Sequence, residues 1–163
     1  MIRLIILDVD GCMTDGRIIY NEKGEEIKNF NVKDGFVIRS WLNMGHQVAI
    51  ITGRKSMIVE NRAKELRIPY VFQGIENKLE VAQKLCEELG LKSDEVAAIG
   101  DDLNDYNMLQ WVGQGYTPKN GVHHLHTVAT VLENVGGDAV VREMIEKLID
   151  HNGEREKYLS LWI

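Results

Sequence analysis

Leu4-Ile5-Ile6-Leu7-Asp8-Val9-Asp10-Gly11-Cys12-Met13-Thr14-Asp15-Gly16 decides the reading of this chain, because an apolar run stops there at two carboxylates one residue apart. Ile5 to Leu7 reads as a strand buried on both faces, and open α/β sheets bind their ligands beyond the carboxyl ends of such strands. Side chains alternate along an extended segment. Asp8 and Asp10 therefore take different tasks only if the chain turns straight after them, which Gly11 permits. One carboxylate is then placed to attack and the other to move protons.

Working outward, Arg17 to Tyr20 and Glu25 to Phe30 flank the turn-like Asn21-Glu22-Lys23-Gly24, which predicts a β-hairpin over about 17–30 projecting above that strand end. Asp34 to Met44 reads as a helix closed by Gly45, with Asp34 as its cap, and Gln47 to Ile51 as a second core strand stopping at Thr52-Gly53. The alternation continues through a helix at Ser56 to Leu66, a strand at Tyr70 to Phe72, a helix at Lys78 to Leu89 and a strand at Val96 to Ile99. A helix over Leu103 to Val112 follows, then one over Ala139 to Asp150 and a tail over about 151–163. Strands alternating with helices call for parallel βαβ units, so the expected fold is α/β: a Rossmann-like parallel sheet flanked by helices.

With 163 residues, 44% of them hydrophobic, the chain suits one domain over 1–163. A net charge of -6 and the lack of a basic stripe argue against nucleic acid. No apolar run approaches a membrane span and the start carries no secretion pattern, so a cytoplasmic protein without a membrane partner is expected. Cys12 and Cys86 fit that reducing setting and predict neither a disulfide nor a zinc site.

Three strand ends bring together Asp8 and Asp10, then Thr52, then Asp101 and Asp105, with Lys78 opening the helix between the last two. Phosphoryl transfer needs a nucleophile, a proton donor for the leaving oxygen and positive charge around the equatorial oxygens, and this set supplies each. Asp8, Asp10 and Asp101 cannot remain ionised together without a cation, and hard oxygen ligands favour Mg²⁺.

At these residues the chain resembles the haloacid dehalogenase superfamily of aspartyl-phosphate phosphatases. Its first motif, Asp-x-Asp-Gly-x-x-x-Asp, matches Asp8 to Asp15; Thr52 matches the second, Lys78 the third, and Gly100-Asp101-Asp102-Leu103-Asn104-Asp105 the fourth. The resemblance implies that Asp8 attacks phosphorus and that Asp10 protonates the leaving alcohol and then activates water. It further implies that Asp8, the Asp10 carbonyl and Asp101 bind Mg²⁺, that Thr52 and Lys78 hold phosphoryl oxygens, and that Asp105 orients Lys78 or metal-bound water. Asp15 is expected only to stabilise its loop.

The spacings add that no cap domain fits. Only 44 positions separate Asp8 from Thr52 and only 26 separate Thr52 from Lys78, and all are used by the elements above. An open site needs a lid or a neighbouring subunit, which predicts a homo-oligomer. Within the superfamily the chain resembles the capless, tetrameric 3-deoxy-D-manno-octulosonate 8-phosphate phosphatase family. The supporting segments are Asn31-Val32-Lys33-Asp34-Gly35, Ile51-Thr52-Gly53-Arg54-Lys55-Ser56, Gln73-Gly74 with Asn77-Lys78, and Gly136-Gly137 with Arg142-Glu143. That resemblance implies a phosphorylated sugar acid as substrate, in the supply of lipopolysaccharide precursors, and neighbours that serve as caps. It casts Val32, Gly53, Arg54, Ser56, Arg62, Gly74 and Asn104 as substrate-binding residues and Asp34 as a supporting one. Where that family carries a third glycine, this chain has Ala139.

A sister family acting on the nine-carbon 2-keto-3-deoxynononate 9-phosphate places Glu at position 54 and Lys at 65. Arg54 and Glu65 here favour the eight-carbon acid, and a guanidinium can grip a sugar-acid carboxylate with two hydrogen bonds. Two rivals remain at this point: a receiver-like phosphorylation switch, whose acidic pair would precede the phosphorylated Asp, and a silent oligomeric scaffold, which would not need every catalytic position. His123, His124 and His126 read as surface residues, and Trp41 and Trp111 as core.

Overall fold

The computed structural model describes residues 1–163. Six strands form one parallel sheet: β1 (Leu4–Leu7), β4 (Gln47–Ile51), β5 (Tyr70–Phe72), β6 (Val96–Ile99), β7 (Gln114–Thr117) and β8 (Thr130–Val131), in the order β5-β4-β1-β6-β7-β8. β1 lies between β4 and β6, so Asp8 leaves the sheet near its middle.

The unbroken apolar runs exist because the central strands are buried on both faces. Ile5, Leu7, Val48, Ile50, Ala97 and Ile99 pack with α1 (Val32–Asn43), α2 (Met57–Leu66) and α5 (Val140–His151). The alternate residues Leu4, Ile6, Ala49, Ile51, Val96 and Ala98 pack with α3 (Lys78–Leu89) and α4 (Tyr106–Trp111). Trp41 is fully buried, and its indole N–H donates to the Gln47 carbonyl at 3.1 Å; Trp111 packs half-buried against the second core.

β2 (Ile19–Tyr20) and β3 (Glu26–Ile27) form the expected antiparallel hairpin, with only two residues in each strand. Nothing resembling a cap domain interrupts the β1 to β5 stretch. Both cysteines are free and buried, and no helix is long and apolar enough to cross a membrane.

Four local expectations are corrected. Asn31, not Asp34, caps α1, its side chain accepting from the Lys33 N–H at 2.9 Å. Ser56 is the cap of α2, and its hydroxyl is spent on the Ile58 N–H at 3.1 Å. α5 starts at Val140 because Ala139 takes a left-handed conformation, φ 59°. The tail contains a further helix, α6 (Arg155–Leu159), which buries Tyr158, while the Trp162 ring lies 4.4 Å from that of Phe36 on α1.

Candidate active site

β1 ends where the Asp8 N–H donates to the Ile99 carbonyl at 3.2 Å, and the chain then folds back through Gly11, φ 91°. A Cβ at position 11 would collide with the Asp101 carboxylate, so glycine serves both the turn and the close approach of two acidic loops.

Behind Asp8 stands Lys78, the first residue of α3, its side chain wholly buried. Its Nζ lies 2.9 Å from Asp8 Oδ1 and 2.6 Å from Asp105 Oδ1. Burial alone would push the Lys78 pKa down, but the Asp8 and Asp105 carboxylates outweigh it and hold the ammonium charged. The other oxygen of Asp105 accepts the N–H groups of Asp101 and Asp102, at 3.0 and 3.3 Å, which fixes the fourth acidic loop on the same lysine.

In front, Asp8, Asp10, Gly16, Thr52, Gly53, Arg54, Asp101, Asp102 and Asn104 line a cavity of about 450 Å³ with no apolar side chain in its wall. Such a wall suits a hydrated polar ligand rather than an apolar one, and its four aspartates against one arginine call for a cation before it can take an anion. Asp10 sits at the hairpin side. Its Oδ1 accepts from Lys28 Nζ at 2.5 Å, and Lys28 is also 3.3 Å from Glu26 Oε1. Arg54 meets the same Glu26 oxygen at 2.8 Å and stands 3.8 Å from Asp10 Oδ2. Lys28 and Glu26 draw no attention in the sequence, although their two-residue spacing on a hairpin strand puts both on one face.

Several expected site residues lie elsewhere. Lys78 touches Asp8 but is not part of the cavity wall. Val32 and Arg62 line surface grooves beside α1 and α2; the Arg62 guanidinium is spent on Glu65 at 2.8 Å and rests over the Phe30 ring. Ser56 is a helix cap, and the Gly74 N–H donates to the Arg54 carbonyl at 3.3 Å, so glycine 74 shapes the arginine's loop from outside the cavity. Asp34 is buried against α5, accepting the Arg142 N–H at 2.8 Å. Asp15 accepts the Arg17 N–H at 3.0 Å, as a loop-stabilising residue should. The three histidines at 123, 124 and 126 are exposed on a 3₁₀ turn.

Residues 71–144 match the sequence model of the haloacid dehalogenase-like hydrolases. The 3-deoxy-D-manno-octulosonate 8-phosphate phosphatase of Escherichia coli strain K12 is 40% identical over 157 residues, 96% of this chain and 84% of that protein. The chain belongs to the haloacid dehalogenase-like hydrolases, in the branch that holds those phosphatases. The crystal structure of the Moraxella catarrhalis 3-deoxy-D-manno-octulosonate 8-phosphate phosphatase, in complex with magnesium, phosphate and KDO, superposes with a TM-score of 0.95 at 36% identity, covering 99% of this chain and 94% of that one. A cobalt-bound relative from Haemophilus influenzae gives 0.89 at 32% identity, covering 93% and 90%.

In this haloacid dehalogenase-like hydrolase the donor set fits a hard divalent cation. Ligand atoms of Asp8, Asp101 and Cys12 lie within 4.8 Å of one another. Burial, together with Asp8 and Asp105, pushes Asp101 up to about 7 despite the nearby Lys78 ammonium, so a further cation at these oxygens would relieve the crowding. The Cys12 thiol is pushed well above its ordinary value by burial and by Asp8 and Asp101, so it stays protonated and leaves the oxygens as ligands.

Proposed function

We propose that this chain hydrolyses 3-deoxy-D-manno-octulosonate 8-phosphate to 3-deoxy-D-manno-octulosonate and phosphate, supplying the eight-carbon acid for lipopolysaccharide synthesis. One observation carries the reading: a single all-polar cavity holds the carboxylate pair Asp8 and Asp10 together with the Arg54 guanidinium. Phosphate chemistry and a grip for the sugar-acid carboxylate thus share one wall.

In the first step an Asp8 oxygen attacks phosphorus, the bond from phosphorus to the sugar oxygen breaks, and Asp10 gives that oxygen a proton. In the second, Asp10 takes a proton from water as the water oxygen attacks phosphorus and the bond to Asp8 breaks. The Thr52 hydroxyl donates to a phosphoryl oxygen, and Lys78, oriented by Asp105, offsets charge at Asp8 from behind. Mg²⁺ would be held by the side chains of Asp8 and Asp101 and the Asp10 carbonyl, and would supply the positive charge that lets an acidic site accept a phosphate dianion. Gly53, Arg54 and Asn104 receive the sugar acid.

Residues 1–163 act as one domain in the cytoplasm, where Cys12 and Cys86 remain thiols. The site is open on one side, and the neighbouring surface exposes Val32, Met57 and Trp162 at 79%, 68% and 50%. These features support a homotetramer, in which Val32 and Arg62 reach a substrate only from a second copy.

The test is a rate screen of phosphorylated sugars that includes the eight- and nine-carbon keto acids. The reading requires the highest kcat/KM on the eight-carbon ester. Preference for the nine-carbon ester would transfer the chain to the sister activity, and silence on both would overturn the assignment.

A further inference from the structure

Four side chains beside the cavity close a ring of alternating charge: Asp10, Lys28, Glu26 and Arg54, each neighbour pair within 3.8 Å. Two members, Glu26 and Lys28, come from the hairpin. Its strands pair through only two residues each, Ile19 with Ile27 and Tyr20 with Glu26, and a two-stranded ribbon of that length does not hold its own shape in water. The ring supplies what the ribbon lacks.

Lys28 is the unusual member. Its side chain is 1% exposed, although it lies on a surface hairpin, and its Nζ is held between Asp10 and Glu26. Burying an ammonium is unfavourable unless it is paired and hydrogen-bonded, so the site maintains Lys28 for its charge or its donors rather than for packing. Lys28 is not part of the cavity wall. Its nearest partner is Asp10, and it takes only one of the two carboxylate oxygens. Oδ1 is fixed by Lys28, which leaves Oδ2 turned toward Arg54 at the cavity.

We propose that Lys28 is a positioning residue that fixes the Asp10 carboxyl so that one oxygen meets the leaving group, making the hairpin part of the proton-transfer machinery. The proposal rests on the assignment of Asp10 as acid and base made above. A carboxyl free to rotate about its side-chain torsions spends little time at hydrogen-bonding distance from the leaving oxygen, and proton transfer is the component that such positioning protects. The effect is therefore greatest for leaving groups that need a proton and small for those that do not.

The experiment compares kcat/KM on phenyl phosphate and on p-nitrophenyl phosphate, esters of nearly the same shape whose leaving oxygens differ in their need for a proton. It is run with Mg²⁺-loaded wild-type protein, Lys28→Met, Lys28→Gln and Asp10→Asn, each checked for folding by circular dichroism. The proposal predicts that Asp10→Asn and both Lys28 variants lose at least about tenfold more rate on phenyl phosphate than on p-nitrophenyl phosphate. Equal losses on the two esters in the folded Lys28 variants, or no loss, would overturn it while leaving Asp10 in its role. Equal losses in Asp10→Asn would instead remove the assignment of Asp10, and the proposal with it. If Lys28→Met does not fold, Lys28→Gln, which keeps hydrogen-bond donors but no charge, decides the matter alone.

Discussion

Lys78 and Asp105 form an ion pair in which both side chains are 0% exposed, with Nζ and Oδ1 2.6 Å apart. Pairs of this kind are costly to break from one side, because the surviving charge is left in a medium that cannot solvate it. Asp105→Ala removes the lysine's best partner and also orphans the N–H groups of Asp101 and Asp102. We expect it to lose about 3–5 kcal/mol of stability in urea unfolding, with turnover falling as well. A loss below about 1 kcal/mol would show that the pair is not the brace described.

Gly136 lies where a methyl group would run into the Gly11 and Thr14 carbonyls, while the Gly137 N–H donates to the Cys12 carbonyl at 3.0 Å. The loop before α5 is thus seated on the loop that carries Asp10. Gly136→Ala should reduce both thermal stability and kcat by displacing that loop; unchanged kcat in a folded variant would disprove the coupling. Ala139, three residues on, behaves in the opposite sense. It holds a φ of 59° that glycine adopts freely, so Ala139→Gly should gain up to about 1 kcal/mol by thermal unfolding with activity retained. A loss of stability would mean that the left-handed geometry carries no strain.

Much of this arrangement is legible in the sequence, because the strand ends are marked by local changes from apolar runs to Asp, Thr and Gly. The bounds of β5, α3 and β6 fall where periodicity and flanking glycines place them. β7 and β8 escape notice, since Gln114-Gly115-Tyr116-Thr117 and a two-residue strand carry no pattern of their own and pair only because a sheet edge is present. Asp34 is misread as the cap of α1 for a related reason: it is a polar residue near a helix start, and only the fold shows that Asn31 caps α1 while Asp34 reaches across to α5. Lys28 is invisible because its meaning lies in Asp10, eighteen residues away.

Asp34 predicts a pH dependence. Burial pushes its carboxyl up to about 6, against the opposing N–H groups of Arg142 and Val141 and the charge of Arg62. A pKa raised in the folded state above its ordinary 3.8 means that protonated Asp34 suits the fold: its contribution is complete below about pH 4 and is lost as pH rises through 6. Asp34→Asn does not titrate, so the variant should gain on the wild type across that window, by about 3 kcal/mol in total, and hold a constant difference above it. A difference in unfolding free energy that stays flat between pH 4 and 7 would contradict the burial argument.

Removal of divalent cations should silence the enzyme without unfolding it, since the carboxylates of Asp8 and Asp101 lose their counter-charge while both cores remain intact. Excess chelator is expected to abolish turnover with an unchanged circular dichroism spectrum, and added Mg²⁺ to restore the rate. Full turnover in chelator would refute the cation requirement.

The claim that Asp8 itself attacks phosphorus is tested most directly by acid-quenching the enzyme during turnover and reducing the denatured protein with borohydride, which converts an aspartyl phosphate to homoserine. Peptide mass spectrometry should then find homoserine at position 8 and nowhere else, with none in Asp8→Asn. Homoserine at position 10, or rapid turnover with residue 8 never modified, would contradict the account.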